Sequence, residues 1–152
     1  MYQIVFRRAG VQDIPALTEL RILQLLEERA KPFIDLHAPL HSYYEKHLSD
    51  GSFIACLAEN SNQIVAVGGI SFVEKPPYFA NPTGKIGLLS SMYTIKNNRR
   101  KGLAKQLLEM VMKEAKASGC GTVYIMASEM GAKLYENCGF QRSGNFFQHS
   151  FY

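Results

Sequence analysis

The stretch Tyr93-Thr94-Ile95-Lys96-Asn97-Asn98-Arg99-Arg100-Lys101-Gly102-Leu103-Ala104 has residue types and spacing suited to holding an anion. An apolar run ends in it, a polar and basic turn follows, and a helical pattern opens at Gly102. The first amides of a helix lack intrahelical acceptors and sit at the positive end of its dipole, so such a start can bind phosphate groups. Gly102 lets the backbone come close to an anion because no Cβ intervenes. Taken alone, Arg99-x-x-Gly102-x-Ala104 reads either as a phosphate cradle or as a solvated basic turn. It is not a P-loop, which needs Gly-Lys-Ser/Thr. Nor is it the dinucleotide fingerprint, which needs a third glycine in an early βαβ unit.

A second segment narrows the choice: Ser128-Glu129-Met130-Gly131-Ala132-Lys133-Leu134-Tyr135-Glu136-Asn137-Cys138-Gly139-Phe140. Together and in this order, the two resemble the GNAT superfamily of acyl-CoA N-acyltransferases. The likeness covers residues 85–140 well, while the N-terminal part agrees in its order of elements. It implies that the amides of Arg100, Lys101, Gly102, Leu103 and Ala104 cradle the pyrophosphate of coenzyme A. It also implies that Met92, Tyr93 and Thr94 run along the pantetheine arm, with Met92 and Thr94 offering strand-like backbone bonds. The side chains of Arg99, Arg100 and Lys101 would add a long-range attraction, partly screened by salt. Ser128 stands where many members carry an asparagine that contacts the pantetheine, and its hydroxyl can still make one such bond. Lys96 stands where proline is frequent, which costs rigidity but no chemistry. Tyr135 matches the family tyrosine that faces the thioester sulfur and commonly serves as general acid.

Acyl transfer to an amine needs a held donor, a neutral amine, a stabilised oxyanion and a hydrogen-bonded leaving thiolate. With a phenol near pKa 10 and a thiol near 8.5, full proton transfer from Tyr135 would be uphill by about 2 kcal/mol. Tyr135 is therefore expected to donate a hydrogen bond and to transfer its proton late, if at all. Without the motif around it, the same residue would read as a tyrosine packed on the sheet. The acceptor ammonium, with a pKa of about 10, must lose a proton before attack. The apolar run at 86–95 carries no Asp or Glu. Glu74 and Glu129 are the nearest carboxylates, with Glu74 the candidate base and a water chain ending at backbone carbonyls the alternative.

His37, His41 and His47 precede these motifs, in a segment that would roof the acceptor site. A spacing of four suits a metal pair on a helix, but Pro39 between the first two argues against a regular turn, and no metal is expected. Tyr43 and Tyr44 could line an acceptor pocket or pack on the sheet. Cys56, Cys120 and Cys138 are an odd number at no metal-like spacing and are expected as reduced thiols.

These residues need a scaffold. Tyr2, Ile4 and Phe6 alternate with polar or outward positions and predict a first strand. Residues 12–29 read as a helix, with Thr18 interrupting its apolar stripe, and a short helix is expected over 40–49 after Pro32 and Pro39. Residues 52–59 and 63–73 read as an antiparallel pair joined at Asn60–Asn62, with Ile64-Val65-Ala66-Val67 buried on both faces. Lys75 to Gly84, with three prolines, predicts a loop. A strand at 86–95 follows, then a helix from Gly102 with Leu107, Leu108, Val111 and Ala115 on one face. Further expectations are a strand at 122–127, a short helix at 130–137, and closing strands from the aromatic tail Phe146-Phe147…Phe151-Tyr152. This order is α+β in class: one GNAT-type domain over residues 1–152, with a central mixed, mostly antiparallel sheet flanked by helices. The resemblance implies that the strands at 86–95 and 122–127 splay apart and admit the pantetheine arm.

A chain of 152 residues suits one domain, able to bury roughly 68–70% of its unfolded surface. No apolar run is long enough to span a membrane, and the N-terminus lacks the basic-then-apolar order of a signal peptide, so a cytoplasmic protein is expected. The net charge of +4 suits a polyanionic cofactor as well as nucleic acid. No array of aromatics interleaved with basic residues is present, so nucleic acid is the weaker partner. The expected activity is transfer of an acetyl group from acetyl-CoA to a primary amine, by direct attack in a ternary complex. The acceptor is a small-molecule or peptide amine of open identity. The rival reading is an acyl-CoA-binding or sensing module without turnover. The aromatic C-terminus either pairs across a homodimer or completes the monomer's own sheet.

Overall fold

The computed structural model describes residues 3–152, so the expectation for Tyr2 lies outside it. The strands are β1 (Ile4–Arg8), β2 (Phe53–Asn60), β3 (Gln63–Glu74), β4 (Lys85–Leu89), β5 (Tyr93–Thr94) and β6 (Thr122–Ile125). The helices are α1 (Ile14–Glu27), α2 (His37–Asp50), α3 (Leu103–Ala117) and α4 (Glu129–Asn137). All six strands form one sheet in the order β1-β2-β3-β4-β6, with β5 on β3. Every pairing is antiparallel except β4 with β6, so the sheet is mixed and mostly antiparallel as expected.

β2 shows why the centre of the sheet is apolar throughout. Phe53, Ala55 and Leu57 face α1 and α2, together with Ile14, Leu17, Leu20 and Tyr44. Ile54, Cys56 and Ala58 face α3, packing with Leu103, Leu107, Leu108, Val111 and Ala115. Period-two alternation thus buries both faces of one strand. Leu107 and Val111 are wholly buried, and truncating either to alanine should cost about 2–5 kcal/mol. The β2–β3 hairpin turns at Ser61 and Asn62, both at positive φ, which fits the twist of a two-residue hairpin.

Four expectations need correction. First, the strand at 86–95 is two pieces. Leu89 pairs with Ile70 and Tyr93 with Val67, so four residues on one side span three on the other. The extra residue is a β-bulge at Ser90–Met92. Second, the helix at 40–49 begins at His37 and runs through Pro39. Proline is tolerated there because an N–H in the first turn has no intrahelical acceptor in any case. Third, α1 buries Thr18 and Gln24 on its inner face, so Thr18 belongs to the packed stripe and does not interrupt it. Fourth, the tail forms no closing strands: residues 141–152 carry no ladder, and Phe146, Phe147, Phe151 and Tyr152 are exposed. The neighbouring β6 is only four residues long and its burial is incomplete, so it offers a further strand little apolar face to cover.

Candidate active site

The turn before α3 is built as an amide cradle. Arg100 (φ 63°) and Gly102 (φ 77°) both take the left-handed conformation, and Gly102 caps the helix. Such alternation turns successive N–H groups toward one concavity. Gln106 is the first α3 residue whose amide donates, to Gly102 O at 3.3 Å. Among the described residues, the amides of 100–105 have no backbone acceptor. A Cβ at Gly102 would meet nothing within 4 Å. The glycine therefore serves its φ and the approach of a ligand, and packing makes no demand on it. Arg100 and Lys101 are exposed beside these amides.

Arg99 does something else. Its Nε donates to Thr94 O at 2.8 Å and its Nη2 to Glu27 Oε2 at 2.6 Å. The Tyr93 hydroxyl donates to Glu27 Oε1 at 2.8 Å. Arg99 holds Glu27 below the usual carboxylate range, and Tyr93 assists. The expected attraction of Arg99 for the cofactor is thus largely spent on Glu27, and its side chain ties β5, the cradle and the end of α1 together.

The sheet opens beside this cradle. β6 pairs β4 from Ile86↔Thr122 to Leu89↔Ile125 and then stops, while β5 stays with β3. This is the expected splay. Ile95 N donates to Val65 O at 2.9 Å, so alternation turns the Met92 and Thr94 amides away from β3 and into the gap. Thr94 keeps its N–H for that gap, since Arg99 takes its carbonyl. Two glycines in β3 make room for the bulge. A Cβ on Gly69 would lie 2.6 Å from Phe53 Cζ and 3.1 Å from Ser91 Cβ, and one on Gly68 would lie 3.0 Å from Met92 Sδ.

Tyr135 of α4 packs in the α3-side core, edge-on to Phe140 with ring centroids 5.8 Å apart. Burial pushes its phenol up to about 12, and the charge of Glu28 adds to the rise; no hydrogen bond contributes. Ser128 has a structural task that the sequence reading missed: it caps α4, and its Oγ accepts from Gly131 N at 3.3 Å. Its O–H remains available to donate. Glu74 pairs in register with Lys85, at the end of β4 away from the bulge. A rise of about 3.3 Å per residue from Lys85 to Ser90 makes that separation on the order of 16 Å. Glu129 is exposed in the first turn of α4.

On the opposite face, a cavity of about 210 Å³ lies between α1, α2 and the bulge, lined by Arg21, Tyr43, Tyr44, Ser90 and Ser91 among others. Tyr43 donates to or accepts from Ser71 Oγ at 2.8 Å, and its ring stacks on His47 at 4.2 Å between centroids. Burial raises the Tyr44 phenol to about 12. His37 is exposed and bonds Glu19 and Asp35, which raise its pKa. Among the described residues, no group of three or more His, Cys, Asp or Glu side chains gathers as metal ligands. The cysteines are free thiols.

Sequence reading missed the polar row of α1. Arg21 Nη1 donates to Gln24 Oε1 at 3.2 Å, and Gln24 Nε2 donates to Glu28 Oε1 at 3.2 Å. The spacing of three and four was a readable signal, since it puts these side chains on one helix face.

Comparison with known proteins adds the lineage of this arrangement. Residues 20–140 match the model of the acetyltransferase (GNAT) family. Glucosamine 6-phosphate N-acetyltransferase 1 of Dictyostelium discoideum is 32% identical over 100 residues, covering 65% of this chain and 62% of its own. N-acetyltransferase 8B of Rattus norvegicus is 29% identical over 116 residues, covering 74% of this chain and 50% of its own. The chain therefore spans between half and two thirds of the length of these curated relatives. A crystal structure from Clostridium acetobutylicum, described as a predicted acetyltransferase with acetyl-CoA, superposes with a TM-score of 0.92 at 31% identity. That match covers 97% of this chain and 96% of the other. Among the described residues, no helix is long and apolar enough to cross a membrane.

Proposed function

The chain belongs to the acetyltransferase (GNAT) family, and from that premise we propose that it moves an acetyl group from acetyl-CoA to a primary amine by direct attack in a ternary complex. One observation carries the reading: the unpaired amides of residues 100–105 open beside the gap between β5 and β6. The residues fit the donor. The cradle suits a pyrophosphate, and the outward amides of Met92 and Thr94 suit an amide-bearing arm. Acetyl-CoA, when bound, supplies the acyl group as an activated thioester.

The chain's own groups do the rest. Arg99 fixes the cradle against α1, while Arg100 and Lys101 raise the local anion concentration. Tyr135 donates a hydrogen bond toward the sulfur position. With its phenol at about 12 and a thiol near 8.5, complete transfer would be uphill by about 5 kcal/mol. The proton therefore stays on Tyr135 while the bond to sulfur lengthens. The amine's proton leaves through water toward a carboxylate. Glu28 is favoured over Glu74 because it follows Glu27, which bonds Tyr93 and Arg99 beside the gap, whereas Glu74 lies opposite Lys85 at the far end of β4.

A second reading, an acyl-CoA-binding module without turnover, is favoured by the lack of any Asp or Glu from Lys85 to Thr94. Release of free thiol from acetyl-CoA across a panel of amines separates the two. Amine-dependent release supports transfer; tight donor binding with no release above background supports the binding module. The aromatic tail, exposed at Phe146, Phe147, Phe151 and Tyr152, supports a homodimer in which a second copy of the chain covers it. A protein that sediments as a monomer at every concentration would contradict that.

A further inference from the structure

We propose that the acceptor amine carries an anionic group, a carboxylate or a phosphate, and that Arg21 binds this group in the cavity beside the β4–β5 bulge. The inference rests on the acetyltransferase reading above and specifies its acceptor.

The cavity of about 210 Å³ has apolar and aromatic walls from Leu40, Tyr43, Tyr44 and Phe53, and a floor at Ser90 and Ser91. Its lining holds one charged side chain, Arg21, and no carboxylate. Arg7, Arg8, Arg99 and Arg142 each reach a carboxylate. Arg21 forms no such pair among the described residues. Its Nη1 donates to Ser90 O at 2.6 Å and to Gln24 Oε1 at 3.2 Å. A guanidinium has five N–H donors in a rigid fork, so Nε and Nη2 keep donors to spare. A partly buried cation without a counter-charge is costly, and a bidentate carboxylate or phosphate is its best match.

Position supports the same assignment. Arg21 lies on the α1–α2 face of the sheet, while the cradle for the donor's phosphates starts α3, which packs on the other face. The Ser90 bond fixes the guanidinium to the bulge, next to the gap where transfer would occur. Along α1 the row runs Arg21, Gln24, Glu28, from cation through amide to carboxylate. The cavity lining itself presents this cation and no carboxylate, so the anionic end of an acceptor is drawn to Arg21. A polyamine or other purely cationic acceptor finds a repulsive wall. The cavity is smaller than the pockets that enclose drug-sized ligands, which suits a free amino acid or an amino-sugar phosphate.

The test uses matched acceptor pairs with the full chain and acetyl-CoA. One arm compares amino acids with their amides, the other glucosamine 6-phosphate with glucosamine. The expected result is a preference of at least tenfold in kcat/KM for the anionic member in one arm, and the arm identifies the anion. Arg21→Gln should collapse that preference, mainly by raising KM, while Arg21→Lys restores part of it. Loss of the Ser90 bond alone would slow both members of a pair equally and leave their ratio intact. Thermal shift by CoA, read on the same variants, keeps the two levels apart. A CoA shift with equal turnover within both pairs, or a ratio unmoved by Arg21→Gln, overturns the anionic acceptor. Absence of any CoA shift in the wild type overturns the acetyltransferase reading itself.

Discussion

Arg99 and Glu27 form a charge-assisted hydrogen bond of 2.6 Å across a sequence separation of 72 residues, and it joins the donor cradle to the C-terminus of α1. Both side chains keep a third or more of their surface in water, so the pair itself contributes at most about 1 kcal/mol to global stability. Its larger effect is positional, because Arg99 also holds Thr94 O and thereby the edge that faces the gap. Glu27→Gln is expected to weaken acetyl-CoA binding about threefold to tenfold, or up to about 1.4 kcal/mol. Titration calorimetry beside a urea melt checks this. Unchanged affinity, or a large loss of stability, would contradict the positioning role.

Tyr135→Phe should leave acetyl-CoA affinity intact and lower kcat at least about tenfold, some 1.4 kcal/mol of barrier. With the phenol at about 12, the wild-type rate should show no alkaline limb from this group up to about pH 10. An unchanged rate in the variant would remove Tyr135 from the chemistry.

The two candidate bases separate by substitution. Glu28→Gln is expected to lower the plateau of the kcat/KM profile. Glu74→Gln, altering a side chain opposite Lys85 and far from the bulge, should leave the profile unchanged. The reverse outcome would restore Glu74.

Asp13 predicts the acid stability of the fold. It is buried, and Arg7 bonds both its oxygens, at 2.8 and 2.7 Å, while Gly10 N donates at 2.8 Å. Its folded pKa lies below the ordinary 3.8, chiefly through Arg7. A depressed carboxylate contributes stability that is fully present above its unfolded pKa and is lost as pH falls through the folded one. Asp13→Asn should therefore destabilise by about 2–3 kcal/mol at neutral pH. The gap from wild type should narrow below about pH 4. Equal melting temperatures at pH 7 would contradict this.

The turn and helix start of the candidate site could be read from the sequence because their signals are local. A positive-φ glycine, a basic turn and an apolar helical stripe lie within a few residues of one another at Arg99–Val111. The bulge could not be read that way. The apolar run at 86–95 looks continuous, and the cause of its break lies across the ladder at Gly68 and Gly69, where small residues let Ser91 and Met92 approach. The same holds for Arg99, whose carboxylate partner is distant in sequence, and for Arg21, whose bond to Ser90 O spans 69 residues. Pro39 misled for a different reason, since its effect depends on where the helix starts. The aromatic tail has the composition of a strand, but pairing needs a partner edge of adequate length, and β6 supplies four residues.

Donor binding at the start of α3 is the central claim, and a thermal-shift titration with acetyl-CoA tests it most directly, with free CoA and dephospho-CoA alongside. Saturable stabilisation is predicted, about 2.7 kcal/mol at a ligand concentration one hundred times the dissociation constant. No shift at millimolar acetyl-CoA would contradict it and leave Arg100–Ala104 a solvated turn.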